Sequence, residues 1–235
     1  MTEMKKETLP PLAERMRPRS LDEVYGQEHL TGKGKILDRI IENNLTISLI
    51  FWGPPGSGKT SIARILAEKL DFPTAYFSAV LSGIKEVKQV MESAEAKKRM
   101  FGKPTIIFID EIDALLGRFS SEVGGEARVR NQFLKEMDGL QDKDSKYHVY
   151  VIGATNKPWL LDDGFVRRFN KRIYIPLPNE EARLEMLKIY TKNLKLDPSV
   201  DLVELAKRTE GYSGSDIKDL IVEAHNRVVR EYFEV

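Results

Sequence analysis

The stretch IFWGPPGSGKTSIA, residues 50–63, decides the fold, because its segment Gly53–Thr60 matches the pattern G-x-x-x-x-G-K-[ST]. A near-continuous apolar run, Ile47–Phe51, precedes the pattern, as a buried parallel strand requires. Helical spacing follows it over Thr60–Leu70. Glycines let backbone N–H groups turn toward phosphate oxygens, and the helix N-terminus adds the positive end of its dipole. The stretch therefore predicts a phosphate-binding loop (the P-loop) rather than an ordinary Gly/Pro connection.

The P-loop predicts a nucleotide and a magnesium ion as ligands. Lys59 supplies a positive charge to the β- and γ-phosphates, and the Thr60 hydroxyl ligates Mg²⁺. The predicted cofactors are therefore ATP or ADP together with Mg²⁺. The residues of this region that we expect to contact the nucleotide are Pro55, Gly56, Ser57, Gly58, Lys59, Thr60 and Ser61.

Two acidic residues follow the apolar run Ile106–Ile109. A buried strand delivers Asp110 to the carboxyl edge of the sheet, where doubly wound folds bind their ligands. Asp110 would hold the Mg²⁺ shell, and Glu111 would polarise the attacking water. An apolar strand that ends in Asp-Glu is a weak signal alone, and the P-loop upstream is what makes it informative.

A third apolar strand ends in Thr155 and Asn156, and the role of Asn156 has two interpretations. Its amide could reach the γ-phosphate, or the water between that phosphate and Glu111. It could equally be a turn-forming residue before Lys157-Pro158. The sequence alone does not choose between them.

Two adjacent arginines, Arg167 and Arg168, lie on a predicted helical turn, so they cannot both face their own core. One interpretation is a solvated basic face that continues through Lys171 and Arg172, which is the commoner use of such a run. The other is a pair of arginine fingers that reach the γ-phosphate of a neighbouring subunit, where an Arg neutralises charge developing in phosphoryl transfer.

The periodicity predicts an α/β fold with a helical addition. Strands are expected at 47–51, 74–77, 105–109, 149–152 and 172–175, and helices at 60–70, 84–100 and 127–137. A capping box at Ser20–Glu23 opens a helical turn, and a helical stretch then reaches about Asn43. This alternation is typical of a doubly wound sheet. After Pro176-Leu177-Pro178 we expect only helices, at 180–193, 202–208 and 215–233, so the predicted domains are a large domain at 1–178 and a small helical lid at 179–235.

Composition excludes several classes of protein. Without cysteine the chain has no disulfide, zinc-thiolate site or cysteine nucleophile, and a reducing, cytoplasmic setting fits. Net charge is +1, from 37 basic and 36 acidic residues, which disfavours nucleic-acid binding through bulk positive charge. No apolar run is long enough to span a membrane. The three histidines, His29, His148 and His225, have no metal-binding spacing.

Taken together, the motifs resemble those of the AAA+ ATPases: Gly53–Thr60, Asp110-Glu111, Asn156 and Arg167-Arg168, in that order and followed by a helical lid. The resemblance implies a three-layer αβα P-loop NTPase fold with five parallel strands in the order 5-1-4-3-2. It implies ATP bound between the large domain and the lid, and a hexamer-type ring in which the arginines act in trans. By the same resemblance, Val24, Tyr25, Gly26 and Gln27 lie against adenine, and Gly214 and Ser215 close over it.

The two halves of the chain resemble different branches of that family. Residues up to about 109 resemble the RarA-type ATPases, relatives of clamp loaders. Residues from about 110 resemble the katanin and spastin group, and within it the archaeal cell-division ATPases that disassemble ESCRT polymers. We therefore hypothesise an engineered chimera, joined near the third strand. Leu81–Lys85 lacks the aromatic residue of that group's first pore loop, since Tyr76 and Phe77 look like core residues of the preceding strand, whereas Phe119–Gly125 resembles its second.

Two functional alternatives accompany the expected ATPase. One is an engineered or truncated scaffold that holds ADP or ATP as a monomer with little turnover, because the trans partner never arrives. The other, suggested by the first half alone, is a DNA-replication accessory factor, which the net charge of +1 does not favour. The remodelling substrate of a ring cannot be read from the sequence.

Overall fold

A computed structural model describes residues 18–45, 47–78, 84–116 and 149–233, together with residues 131 and 133. Several predictions from sequence fall outside these residues. They are the lead-in before residue 18, the pore-loop positions 81–83 and 119–125, and the helix at 127–137 apart from its residues 131 and 133.

Five parallel strands form one sheet in the order β2-β3-β4-β1-β5, which confirms the predicted order 5-1-4-3-2. Strand β1 lies between β4 and β5, with Leu49 opposite Ile152 on one side and Lys171 on the other. Because all the strands run parallel, their carboxyl ends meet at a single edge of the sheet. The strands are β1 (Leu49–Trp52), β2 (Thr74–Ser78), β3 (Thr105–Asp110), β4 (Val149–Thr155) and β5 (Lys171–Tyr174).

Helices cover both faces of this sheet and form the lid that follows it. They are α1 (Glu28–Thr31), α2 (Ile36–Glu42), α3 (Lys59–Lys69), α4 (Ile84–Phe101), α5 (Ile112–Leu116), α6 (Asp163–Val166), α7 (Glu180–Thr191), α8 (Leu202–Arg208) and α9 (Gly214–Phe233).

Alternate residues of the strands enter two separate cores, as the period of a β-strand requires. Ile107 and Ile109 of β3 pack on one face, with Ile112 of α5. Ile106 and Phe108 pack on the other, in the cluster that also contains Leu66 of α3. Helix, sheet and helix therefore form three layers, and the predicted P-loop αβα fold is confirmed.

The lid has a hydrophobic cluster of its own. Leu187, Ala206 and Ile217 bring α7, α8 and α9 together and are at most 1% exposed. The first two of these helices begin at side-chain caps, in which the carboxamide oxygen of Asn179 and the carboxylate of Asp201 accept backbone N–H groups. These caps explain why the predicted helix starts at 180 and 202 agree with the structure. The domain boundary between 178 and 179 itself stays a prediction.

Three local predictions were wrong. The helical turn predicted after Ser20 is present as a 3-10 helix, Leu21–Glu23, but Ser20 makes no side-chain cap and the Glu23 carboxylate instead accepts a hydrogen bond from the Arg19 N–H. The helical stretch predicted to reach Asn43 is two helices, because the chain turns at Gly32–Lys35. Tyr76 was expected in the core, but β2 is an edge strand and the Tyr76 side chain is 56% exposed.

Among the described residues, none of the helices combines the length and the apolar character that crossing a membrane requires.

We predict that Gly53→Ala strongly destabilises the fold. Gly53 has φ +152°, and a Cβ there would overlap the backbone carbonyl oxygen of Ile175, which cannot move without breaking β5 from β1. We expect a loss of at least ~3 kcal/mol in the free energy of unfolding. Gly34→Ala is the matched control, because Gly34 has φ +72° but open space around it, and should cost about 1 kcal/mol. Urea unfolding measures both, and equal losses would contradict the steric argument.

Candidate nucleotide-binding site

A cleft of about 760 Å³ opens at the carboxyl edge of the sheet, between the P-loop and the lid. Its walls come from three regions of the chain that the topology brings together: the N-terminal segment, the loops after β1, β3 and β4, and the facing sides of α7 and α9. The lining residues predicted from sequence are Tyr25, Gln27, Pro55, Gly56, Ser57, Gly58, Lys59, Thr60, Ser61, Asp110, Glu111, Asn156, Gly214 and Ser215.

The P-loop has the backbone that a phosphate cradle requires. Gly56 and Gly58 have φ +70° and +94°, in the left-handed region that favours glycine. Gly58 is also the N-cap of the eleven-residue α3, so the unpaired N–H groups of that helix begin at the cleft. The loop therefore presents backbone donors and a helix dipole at one place, which suits an anion.

Lys59 is a buried cation at the base of the P-loop, only 7% exposed. Its Nζ donates to the carbonyl oxygens of Gly53 (3.0 Å) and Pro54 (2.6 Å) and lies 3.4 Å from the Ser57 Oγ. Burial lowers the pKa of the Lys59 ammonium, and the nearby Asp110 carboxylate opposes that shift. The positive charge is thus held by neutral oxygens, and an anionic phosphate would compensate it better.

The two predicted magnesium ligands lie side by side. The Thr60 Oγ1 donates to the Asp110 Oδ2 at 3.1 Å, which joins the first turn of α3 to the end of β3. A hydroxyl oxygen and a carboxylate oxygen are the hard donors that Mg²⁺ prefers, and Mg²⁺ needs only one or two protein ligands besides phosphate. The donor set therefore fits this ion.

Glu111 follows directly and has an unusual backbone. Its φ is +52°, in the left-handed region that costs a non-glycine residue on the order of 1–2 kcal/mol. Its N–H donates to the Asp110 Oδ1 at 3.2 Å, and its side chain is exposed at the cleft. Such strained residues cluster at functional sites.

Asn156 also lines the cleft, and its buried Oδ1 has no hydrogen-bond partner in the part of the chain that the structure describes. The backbone beside it is fixed by a short network, in which the Thr155 Oγ1 donates to Asp113 and accepts from the Lys157 N–H at 2.9 Å. An unpaired buried acceptor is costly, and a water or ligand donor in the cleft would satisfy it. Sequence reasoning missed the Asp113 contact, because nothing in the pattern marks that residue as a partner of β4.

The two arginines lie away from the cleft of their own chain and are not among its lining residues. Arg167 is exposed at the end of α6. Arg168 donates from Nη1 to the Gly164 carbonyl at 2.6 Å and stacks 6.0 Å from the Phe165 ring centre. A role for either in catalysis stays a prediction that requires a second chain.

Some residues of the predicted adenine segment line the cleft, and others pack against the start of the lid. Tyr25 and Gln27 line the cleft, whereas Gly26 packs behind it: a Cβ at Gly26 would lie 2.7 Å from the Ala182 Cβ on α7. The Gln27 side chain is 2% exposed and donates to the Pro176 carbonyl at 2.9 Å. Nucleotide contact by Gly26 stays a prediction, and its observed neighbour is the lid.

The lid touches the P-loop at the start of α9. A Cβ at Gly56 would overlap the Ser213 hydroxyl and would lie 3.1 Å from the Ser215 Cβ. The Asp216 Oδ2 accepts from both the N–H (2.8 Å) and the hydroxyl (2.7 Å) of Ser213, which holds this turn in place. The predicted lid contacts Gly214 and Ser215 are thus brought onto the P-loop.

Sequence reasoning missed the remaining wall of the cleft. Helical spacing shows which lid residues are apolar but cannot show which of them face another domain. Tyr190 of α7 is one lid residue in this wall, and burial together with the Asp219 carboxylate raises the pKa of its phenol. Val24 lines the cleft with the rest of the expected adenine segment, and the unpredicted lining residues are Pro18, Arg19, Glu23, Pro178, Met186, Ile189, Tyr190, Lys192 and Lys218.

Comparison with known proteins identifies the class. Residues 49–177 match the model of the ATPase family associated with various cellular activities (AAA), and residues 199–235 match the AAA+ lid domain. The chain therefore belongs to the AAA family of ATPases, and the prediction of an AAA+ ATPase with a lid is confirmed at that level.

Individual relatives agree with this class. The chain is 55% identical to cell division protein C of Sulfolobus acidocaldarius over 79% of its length and 51% of that protein. It is 40% identical to the A-like 1 form of the katanin p60 ATPase-containing subunit, from Rattus norvegicus, over 76% of the chain and 38% of that protein. It is 38% identical to vacuolar protein sorting-associated protein 4A of Homo sapiens, over 78% and 43%. The chain thus spans about half, or less, of these relatives.

The hypothesis of two parents gains no support from these comparisons. Residues 110–235 make up only about half of the chain, whereas the alignment with cell division protein C covers 79% of it. A single relative therefore extends well across the supposed junction. The RarA-type resemblance is likewise unsupported by these matches.

We predict that acid releases the Ser213 turn. The hydrogen bonds from Ser213 hold the pKa of Asp216 below its ordinary value. The carboxylate therefore stabilises the folded turn above the ordinary aspartate pKa, and this contribution is lost as the pH falls through the depressed value. Amide hydrogen exchange at Ser213, corrected for the intrinsic rate, should accelerate across that range.

Asp216→Asn should remove this pH dependence. Asp197→Asn is the matched control, because the pKa of Asp197 is lowered by Ser199 in the same way but at a distance from the cleft. An Asp216→Asn protein with the same pH profile at Ser213 as the unmodified chain would refute the assignment.

Proposed function

We propose that this chain binds ATP with Mg²⁺ in the cleft and hydrolyses it to ADP and phosphate. The observation that supports this best is the convergence of Lys59, the Thr60–Asp110 pair, Glu111 and Asn156 on one cleft. These groups follow β1, β3 and β4. Together they would bind phosphate and metal, accept a proton from water and hydrogen-bond that water.

The residues divide the reaction between them. The P-loop N–H groups and the Lys59 ammonium hold the triphosphate and stabilise the negative charge that develops on the leaving group. Magnesium, bound by Thr60 and Asp110, would neutralise charge on the β- and γ-phosphates. Glu111 accepts a proton from a water whose oxygen bonds to the γ-phosphorus, while the bond from that phosphorus to the bridging oxygen breaks and ADP leaves.

Asn156 is proposed to orient that water. Its buried Oδ1 has no hydrogen-bond partner among the described residues, so it can accept a hydrogen bond from water, while its amide nitrogen can donate to the γ-phosphate. This assignment favours the functional interpretation over the turn interpretation, and the fixed backbone at Thr155 and Lys157 supports it.

The working state is proposed to be a ring of copies. Arg167 is exposed and does not line the cleft of its own chain, so a nucleotide that it contacts would be that of a neighbouring copy. Arg168 would act with it after leaving Gly164. Since relatives are named a cell division protein and a katanin subunit, we extend the proposal to a ring-forming remodelling motor, with the large domain at 1–178 and the lid at 179–235.

A monomeric nucleotide-binding scaffold with little turnover is the second candidate. It is favoured by the lid contact, because Ser213 and Ser215 reach Gly56 within a single chain and complete the cleft without a partner. Turnover per chain separates the two candidates: it rises with protein concentration for the ring and stays low and constant for the scaffold.

We predict that Glu111→Gln binds ATP as the unmodified chain does but loses turnover by about 10²–10⁴-fold, since the amide cannot accept the proton. Nucleotide affinity is measured by titration calorimetry and phosphate release by a coupled assay. Glu68→Gln, at an exposed position on α3, is the control and should change neither. Undiminished turnover in Glu111→Gln would reject the base assignment.

We predict that Arg167→Ala binds ATP normally and loses turnover, and that mixing it with Glu111→Gln restores activity. In a mixed ring, a site with an intact Glu111 can receive Arg167 from its neighbour. Phosphate release is measured for each variant alone and for mixtures at constant total protein. Mixtures no more active than the sum of their components would refute action in trans.

A further inference from the structure

The hinge between the sheet and the lid is held from both sides by buried side chains. Gln27, from the large domain, donates to the Pro176 carbonyl. Arg183, from α7 of the lid, donates from Nη1 to the Pro178 carbonyl at 3.0 Å. We name Pro176–Pro178, with its Gln27 and Arg183 contacts, the hinge clamp.

Arg183 is unusual because it is a cation only 5% exposed whose described hydrogen bonds all go to backbone carbonyls. Besides the Pro178 bond, Nε and Nη2 both donate to the Ala206 carbonyl, at 3.1 and 2.9 Å. Ala206 lies in the last turn of α8, where the helix dipole favours a positive charge. A buried charge is costly. We therefore attribute the position of the Arg183 guanidinium to its link between two segments, since it donates to Pro178 in the hinge and to Ala206 at the end of α8.

The hinge clamp also contacts the predicted adenine segment. Gly26 lies between the hinge and the lid, with its Cβ direction 2.7 Å from the Ala182 Cβ and 3.3 Å from the Pro178 Cα. Tyr25, Gln27 and Pro178 all line the cleft. A contiguous path of packed groups therefore runs from the cleft wall, through the hinge, to Arg183 and the C-terminal end of α8.

Away from the hinge, the Ser213 side chain of the lid packs against Gly56 of the P-loop. The lid is thus fixed at two points, and its angle about the hinge determines whether the second contact forms. We propose that Arg183 is a positioning residue for nucleotide binding: it fixes the lid angle by tying the hinge carbonyl to α8, and it acts together with Gln27. This inference rests on the proposed nucleotide site and extends it to the lid.

The test measures ADP binding, which does not require hydrolysis. Arg183→Met should loosen the lid and raise the ADP dissociation rate on the order of tenfold, with little change in the association rate constant. Stopped-flow chase of a fluorescent ADP gives both rates. Arg208→Met is the matched control, because Arg208 lies on α8, the helix that Arg183 contacts, but is exposed and forms its described ion pair with Glu204.

A double-mutant cycle separates positioning from general destabilisation. If Gln27 and Arg183 act through one hinge, Gln27→Met and Arg183→Met together should raise the dissociation rate by clearly less than the product of their separate effects. Arg183→Lys should be intermediate, since one nitrogen cannot reproduce the fork that spans two carbonyls. Equal dissociation rates in Arg183→Met and the unmodified chain, or fully multiplicative effects, would overturn the proposal.

Arg183→Lys also covers the case in which Arg183→Met does not fold. A folded Arg183→Lys protein with an unchanged dissociation rate would overturn the positioning role, and a raised rate at unchanged melting temperature would support it. A chain that binds ADP but does not hydrolyse ATP would refute the proposed ATPase activity, while the clamp would still be judged by these dissociation rates.

Discussion

A buried ammonium group, that of Lys59, is the constraint around which the site is built. The group is placed beneath the P-loop by the first turn of α3, and the loop carbonyls of Gly53 and Pro54 are turned inward to receive it. Gly53 can take the required path only because it has no side chain against Ile175. The position of β1 between β4 and β5 therefore determines where the cation lies, and the cation determines where an anion is best accommodated.

Much of the fold could be predicted because its signals are local or belong to recognisable motifs. Sequence patterns predicted all five strands to within about three residues, and the caps at Asn179 and Asp201 agree with the predicted lid helices. The strand order came from the resemblance of the motifs to a family, since periodicity cannot order strands. Tyr76 was misplaced because edge and central strands have similar patterns, and only pairing distinguishes them.

The site was predictable where a residue's role depends on its motif and less so where it depends on another segment. Lys59, Thr60 and Asp110 lie together as expected. The lid wall, including Tyr190 and Lys218, was not foreseen, because the orientation of α7 and α9 is set by packing against α8 and the hinge. Gly26 shows the same limit, since its nearest neighbour is a lid residue far away in sequence.

The left-handed backbone at Glu111 has a consequence for the evolvability of the chain. Glycine, or to a lesser extent asparagine, would adopt that conformation at a lower cost than glutamate. A laboratory selection that rewards heat tolerance alone would thus drive this position toward residues that carry no carboxylate. On the proposed role of Glu111 as the base, the selected descendants would bind nucleotide without hydrolysing it, so a selection meant to retain catalysis must also measure ATP hydrolysis at every round.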